Sequence, residues 1–204
     1  MQEVVAKLFD RFRLVAVVTG RRSEEVEGLI RTPGVRYEGL YGMQGSSDAS
    51  VPGLVAAVRE AATGVPEAWV EDKGVTVSVH YRGAADPTLA RRSLVASLTE
   101  VALAHGLVVV EGKMVIELVP PDRPMKGETV RRLAARHELE GALFAGDDVA
   151  DLDAFRAMEE LAERGLVAVK VAVSGEETPR ELVERADVAV GGPEGLVDLL
   201  RQLT

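Results

Sequence analysis

The chain has 204 residues, nearly half of them apolar, which is enough to bury one large domain core or two small ones. Its formal charge of -9 argues against nucleic acid or an anionic membrane surface as partner, since both select for basic patches, while a small phosphorylated ligand needs only a few converging cations. With no cysteine, disulfides, thiolate zinc sites and cysteine nucleophiles are excluded.

His80, His105 and His137 are scattered without metal-ligand spacing. No apolar run reaches bilayer length, and "MQEVVAKLFDRF" alternates apolar and charged residues where a signal peptide needs an unbroken apolar stretch. The expectation is a cytoplasmic protein with no membrane or nucleic-acid partner; no protein partner is predictable.

In chain order, Val4, Val5, Leu8, Phe9 and Phe12 recur at helical spacing and predict an amphipathic helix with its stripe turned to a core. "LVAVV" at 14–18 reads as a buried strand, and Ser23 as the cap of a helix running to about residue 31, with Glu24 and Glu25 at its positive end. A short apolar segment around Val35 and the glycine-rich turn "YEGLYGMQGSSDAS" complete this part.

From Val51 the rhythm changes. A helix at 52–62 leads to "EAWVED", a turn at Lys73-Gly74, and "VTVSVHYR", where Val75, Val77 and Val79 alternate with polar residues as in a half-buried antiparallel strand. A helix at 87–105 precedes "LVVVEGKMVIELV", two strands joined at Glu111-Gly112-Lys113. This is an α+β module with an antiparallel sheet. "PPDRP" at 120–124 marks a boundary. Beyond it, helices at 127–138, 151–164, 179–185 and 194–203 alternate with strands at 142–145, 166–173 and 187–190, which implies a parallel sheet. The expected domains are therefore 1–45 and 123–204 as one α/β domain, with 46–122 inserted into it.

In an open parallel sheet, ligands bind outside the carboxyl ends of the strands, so the loops following apolar strands are the ones to inspect. Thr19-Gly20-Arg21 offers a hydroxyl, helix-start N–H groups and a guanidinium, either a small anion site or a plain strand-to-helix turn. Gly146-Asp147-Asp148, followed by Asp151 and Asp153, offers hard carboxylate oxygens suited to magnesium shared with a phosphate; the competing reading gives Asp148 or Asp151 a helix cap. Asp153 reads as first-turn charge. Lys126 at a helix start adds to the positive dipole instead of complementing it, a local misfit of the kind found where anions bind, although a lone lysine is more often solvated. Glu71, Lys73, His80, Arg82 and Glu117 are polar residues on or beside antiparallel strands, either one solvated face or a set of hydrogen-bonding partners for sugar hydroxyls. Trp69 and Tyr81 read as core.

The segments "VAVVTGRR", "VEDKGVTVSVHYR", "EGKMVIELVPPDRPMKGETV", "FAGDDVADLDAF" and "ADVAVGGPEGLVDLLRQL", in this order, resemble the trehalose-6-phosphate phosphatases of the haloacid dehalogenase superfamily. The resemblance implies a Rossmann-like α/β core with a parallel sheet and an inserted α+β cap with an antiparallel sheet. It also implies magnesium as cofactor and hydrolysis of trehalose 6-phosphate to trehalose and phosphate, in trehalose biosynthesis. Thr19 and Lys126 would stabilise the transferring phosphoryl group. Asp147 would bind the metal, with Asp148 and Asp151 supporting the metal or Lys126. Arg21 would lie on the substrate side; Glu71, Lys73 and Glu117 would grip glucose hydroxyls, and His80 and Arg82 match the family's histidine-tyrosine-arginine segment.

Three departures accompany the resemblance. The family's Asp-x-Asp-Gly-Thr motif, whose first aspartate is the nucleophile and whose second is the acid and base, is not found in the 204 residues. The expectation is accordingly a core without its first strand, leaving neighbouring strands with unpaired backbone groups and the isolated chain either poorly stable or completed by something outside these residues. Ala150 and Leu152 replace a threonine and a glutamate, and "LYGMQ" at 40–44 stands where the family has Asn-His-Gly followed by glutamate. Two alternatives therefore stand beside the phosphatase reading: a non-catalytic sugar-phosphate-binding relic, and another sugar phosphatase of the superfamily.

Overall fold

The computed structural model describes residues 2–42 and 51–204. In chain order the elements are α1 (Gln2–Arg11), β1 (Ala16–Val18), α2 (Ser23–Ile30), β2 (Arg36–Glu38), a 3-10 turn (Leu40–Gly42), α3 (Leu54–Ala62), β3 (Trp69–Asp72), β4 (Val77–His80), α4 (Pro87–Ala104), β5 (Val108–Gly112), β6 (Val115–Val119), α5 (Lys126–Arg136), β7 (Gly141–Gly146), α6 (Val149–Glu163), β8 (Val167–Ser174), α7 (Arg180–Arg185), β9 (Val188–Gly191) and α8 (Gly192–Arg201). They group into two units, Met1–Gln44 with Pro124–Thr204, and Gly45–Arg123. Residues 43–50 lie outside the described residues, and with them most of the glycine-rich turn, the end of "LYGMQ" and the expected boundary at 45. Among the described residues no helix is long and apolar enough to cross a membrane.

The first unit is α/β with parallel strands. β7, β8 and β9 form a three-stranded parallel sheet in that order, and β1 pairs with β2 in a separate parallel ladder. Parallel neighbours need a crossover, and helices α6 and α7 supply it between β7, β8 and β9. Helix α6 packs against β7 and β8 through Ala154, Phe155, Ala157 and Met158, all fully buried, with Phe144 meeting Phe155 edge-on at 6.2 Å.

Two apolar runs of this unit behave differently from their expectation. Of "LVAVV" only Ala16–Val18 enters a ladder, and all three are half-buried where a buried strand is predicted. The reason is that β1 has a ladder partner on one side only, as does β7, among the described residues. In α1 the stripe buries Val4, Val5 and Leu8, but Phe9 and Phe12 stay about two-fifths exposed. Phe9 lies flat against the backbone at Gly34, where any Cβ would collide with its ring.

The second unit is an α+β sandwich. Its antiparallel sheet runs β3-β4-β6-β5, so each hairpin is intact and the two are joined through β4 and β6. Alternation puts Val77, Val79, Ile116 and Leu118 on one face, where they are buried against Leu54 and Val58 of α3 and Leu94 and Leu98 of α4. The second hairpin turns at Lys113-Met114, one residue later than predicted, with Met114 at a φ of 57°. Helix α4 starts as its sequence directs: the Asp86 side chain accepts from the Leu89 N–H at 2.9 Å and Pro87 occupies the first turn.

Candidate functional site

In the first unit, the loop after β7 is organised by Asp151. This carboxylate is nearly fully buried, and its two oxygens have separate duties. Oδ1 accepts from Lys126 Nζ at 2.6 Å, while Oδ2 accepts from the backbone N–H groups of Asp147 and Asp148 at 3.0 Å each. Asp148 caps α6, its Oδ1 accepting from the Val149 N–H at 2.6 Å, and together with Asp151 it closes a capping box. Of the two alternatives read from the sequence, the helix cap is the one seen here: Asp148 and Asp151 cap α6, and Asp151 also holds the lysine.

The lysine end is tied as well. Lys126 opens α5 with its side chain only 14% exposed, so it is not the solvated surface residue that a lone lysine suggests. The next residue, Gly127, donates its backbone N–H to Asp153 Oδ2 at 2.7 Å. Asp153 is therefore not incidental first-turn charge: it satisfies an otherwise orphaned N–H at the start of α5 and stitches α5 to α6. Both glycines are obligatory for close approach. A Cβ on Gly127 would lie 2.5 Å from the Asp153 carbonyl oxygen, and one on Gly146 would run into the Asp151 side chain.

Asp147 is exposed, and its backbone N–H is anchored by Asp151. Magnesium is bound by one or two carboxylates together with phosphate oxygens and retained waters, so an outward aspartate beside a fixed lysine suits a metal shared with a phosphate. Asp147 is the residue that would hold it. Asp151 is committed to Lys126 and the loop backbone, not to an open coordination position, and Asp148 has one oxygen spent on its cap. Among the described residues no group of three or more His, Asp or Glu could hold a metal ion without a ligand's help.

Thr19 follows β1 and is half-buried. Its hydroxyl oxygen accepts from the Arg21 N–H at 3.1 Å, which leaves the hydroxyl proton for an anion, and its own N–H donates to the Glu38 carbonyl at 3.0 Å. The Arg21 side chain is exposed. Ser23, predicted as a cap, is the first residue of α2, with Arg22 in the cap position. Its hydroxyl accepts from the Gly39 N–H at 3.0 Å, fastening α2 to the end of β2. Glu38, buried at the end of β2, accepts from Arg132 of α5 at 2.8 Å and from Arg36 at 2.5 Å. Burial pushes its carboxyl up, but the two guanidinium hydrogen bonds outweigh this and hold it below the usual carboxylate range.

The second unit brings four of its five predicted residues together. Strand register sets Glu71 opposite Ser78, and Ser78 opposite Glu117, on the sheet face turned away from the helices. There Lys73 Nζ donates to Glu117 Oε1 at 2.6 Å and stands 3.8 Å from Glu71; Ser78 Oγ donates to the same Glu117 oxygen at 2.8 Å. His80 Nε2 lies 2.7 Å from Glu71 Oε2. Lys73, Ser78 and Glu117 are buried, a cluster that is hydrogen-bonded throughout, as buried polar groups must be. Arg82 is not part of it: it is exposed in the turn after β4. Tyr81 is core, 4% exposed, whereas Trp69 is not: it is 55% exposed and stacked on His80. The strand pattern signals this, because Trp69 shares parity with Glu71 and Lys73, not with the core-facing Val70.

Comparison with known proteins agrees with this architecture. The chain is 30% identical over 165 residues to an uncharacterised glycosyl hydrolase of Mycobacterium tuberculosis (strain CDC 1551 / Oshkosh), covering 71% of the chain and 12% of that protein. It is 29% identical over 163 residues to the trehalose-phosphate phosphatase of Mycobacterium ulcerans (strain Agy99), covering 71% of the chain and 41% of the relative. The chain thus spans less than half the length of these curated relatives. Among solved structures, the C-terminal domain of the C. albicans trehalose-6-phosphate phosphatase matches with a TM-score of 0.78 at 19% identity, over 98% of this chain and 81% of that one. A trehalose-6-phosphate phosphatase related protein matches with a TM-score of 0.72 at 23% identity, over 99% and 85%. At such identities the likeness is one of fold. The trehalose-phosphatase family model matches residues 53–187, which takes in the antiparallel face, Lys126 and the whole aspartate loop, and on that match the chain belongs to the trehalose-phosphatase family.

Proposed function

We propose that the chain serves the hydrolysis of trehalose 6-phosphate to trehalose and phosphate, with phosphate handling in the first unit and sugar recognition in the second. The observation that carries this reading is the Lys126–Asp151 pair, which ties the ammonium at the start of α5 to the short, glycine-dependent loop that carries the exposed Asp147.

Magnesium, when bound, supplies positive charge to the phosphoryl oxygens. The chain's own residues do the rest of what is assigned here. Lys126 has three N–H donors and gives one to Asp151, so the ammonium is oriented while its remaining donors serve phosphoryl oxygen. Thr19 donates its hydroxyl proton to a second oxygen. Asp147 would hold the metal, and Asp148 and Asp151 keep the loop in place. Positioning and electrostatic stabilisation of this kind make up most of phosphoryl-transfer catalysis. Glu71, Lys73 and Glu117 supply paired acceptors and donors for sugar hydroxyls, and Arg21 of the first unit is an exposed cation for the ligand's anionic part.

The experiment is phosphate release from trehalose 6-phosphate with magnesium, by the chain alone and by the chain joined to a segment bearing the family's Asp-x-Asp-Gly-Thr strand. Turnover by the completed protein supports the reading, and no turnover overturns the substrate assignment. Binding without turnover in both forms would favour the non-catalytic alternative, and turnover of a different sugar phosphate the other.

A further inference from the structure

We infer that Trp69 is a specificity-determining residue, a stacking platform on which one pyranose ring of the sugar ligand lies. This deepens the proposed function and rests on its assignment of sugar recognition to the second unit.

Trp69 is a large aromatic with more than half its surface in water, on an antiparallel sheet whose Val77, Val79, Ile116 and Leu118 are all buried. Its ring is nevertheless fixed. The His80 imidazole stacks on it with centroids 4.0 Å apart and planes within 10°, and Glu71 in turn tethers His80 at 2.7 Å. One indole face is thus covered by a ring that is itself hydrogen-bonded, while more than half of the residue stays in water. A rigid, exposed aromatic loses little conformational entropy when a ligand settles on it.

The neighbours define the ligand chemistry. Strand alternation sets Trp69, Glu71 and Lys73 on the same face, with successive members about 6.6 Å apart along the strand. That step is of the order of the width of a hexose ring. A pyranose offers an apolar C–H face and a rim of hydroxyls, each both donor and acceptor. An aromatic surface takes the former, and a row of carboxylates and an ammonium takes the latter. A ring seated on Trp69 would place its rim over Glu71, which His80 tethers, with Lys73, held by the Glu117 carboxylate, next along the row. A flat apolar ligand would leave the charged row unused, and an open-chain polyol would leave the indole unused.

Trp69 is the only tryptophan in the 204 residues, so the emission of the intact protein reports this ring alone. The probes are trehalose, maltose and sucrose, with sorbitol as an open-chain polyol and inorganic phosphate as controls. At least one disaccharide is expected to change the emission saturably, and sorbitol and phosphate are not. By calorimetry, Trp69→Ala is expected to weaken that disaccharide roughly tenfold and Trp69→Phe less, with both variants keeping the parent's circular dichroism and Tm. A response to maltose or sucrose but not trehalose would overturn the trehalose assignment while supporting the platform. Calorimetric binding with silent emission and an unchanged Kd for Trp69→Ala would overturn the platform, and so would the absence of a response to all three sugars.

Discussion

Lys126 and Asp151, 25 residues apart in sequence, meet at 2.6 Å with 14% and 3% of their side chains exposed. This pair joins the start of α5 to the first turn of α6, and the same carboxylate holds the backbone on which Asp147 stands. A buried pair is costly to break because the survivor is left as an uncompensated charge. Asp151→Asn, which keeps the volume and removes the charge, is expected to destabilise the protein by about 3 kcal/mol in urea unfolding. A loss under about 1 kcal/mol would mean that the pair is solvated and exerts little hold on the loop.

The close approach of α5 and α6 predicts an intolerance of methyl groups. Gly127→Ala sets a Cβ against the Asp153 backbone oxygen at 2.5 Å, a contact that only a backbone shift can relieve. The expected cost is about 2 kcal/mol, read as a lower urea midpoint. Gly28→Ala is the control, since nothing lies within 4 Å of its added Cβ and helix propensity favours alanine. It should be neutral or slightly stabilising.

Glu38 gives the pH prediction. Its folded-state carboxyl lies below the ordinary glutamate value of 4.5, so its contribution is fully present above that value and is lost as pH falls through the lowered one. The stability gap between the parent and Glu38→Gln is therefore expected to be constant near neutrality and to close below about pH 4.5. Urea unfolding at a series of pH values checks it. A gap that widened on acidification would contradict the ion pairs with Arg36 and Arg132.

On the antiparallel face, Glu117 accepts from both Lys73 and Ser78. Glu117→Gln is expected to weaken disaccharide binding about tenfold by calorimetry, because the ammonium loses its charged partner and the carboxylate its acceptor strength. Arg82→Ala, in the exposed turn after β4 and outside this cluster, should leave disaccharide affinity within about twofold. Equal losses in both variants would contradict the division.

Much of this was legible in the residues. The change from alternating helix and strand to paired hairpins and back marks both units, and the Gly-Asp-Asp loop stands out because carboxylates so close together demand partners. What stayed hidden depends on contacts far apart in the chain. Asp153 reads as first-turn charge because its partner, the Gly127 N–H, lies 26 residues upstream. Trp69 reads as core because large aromatics usually are, although its parity with Glu71 and Lys73 points the other way. Leu14–Val18 reads as a buried strand, but burial needs neighbours on both sides, and among the described residues β1 has one.

The most direct test is a calorimetric titration of trehalose 6-phosphate into the 204-residue chain, with and without magnesium, for the parent and for Asp147→Asn. One molecule is expected to bind per chain, more tightly with magnesium, and Asp147→Asn should abolish the magnesium-dependent gain while leaving magnesium-free binding unchanged. No binding at millimolar ligand, or a magnesium effect that survives in Asp147→Asn, would contradict the assignment of phosphate and metal to this loop.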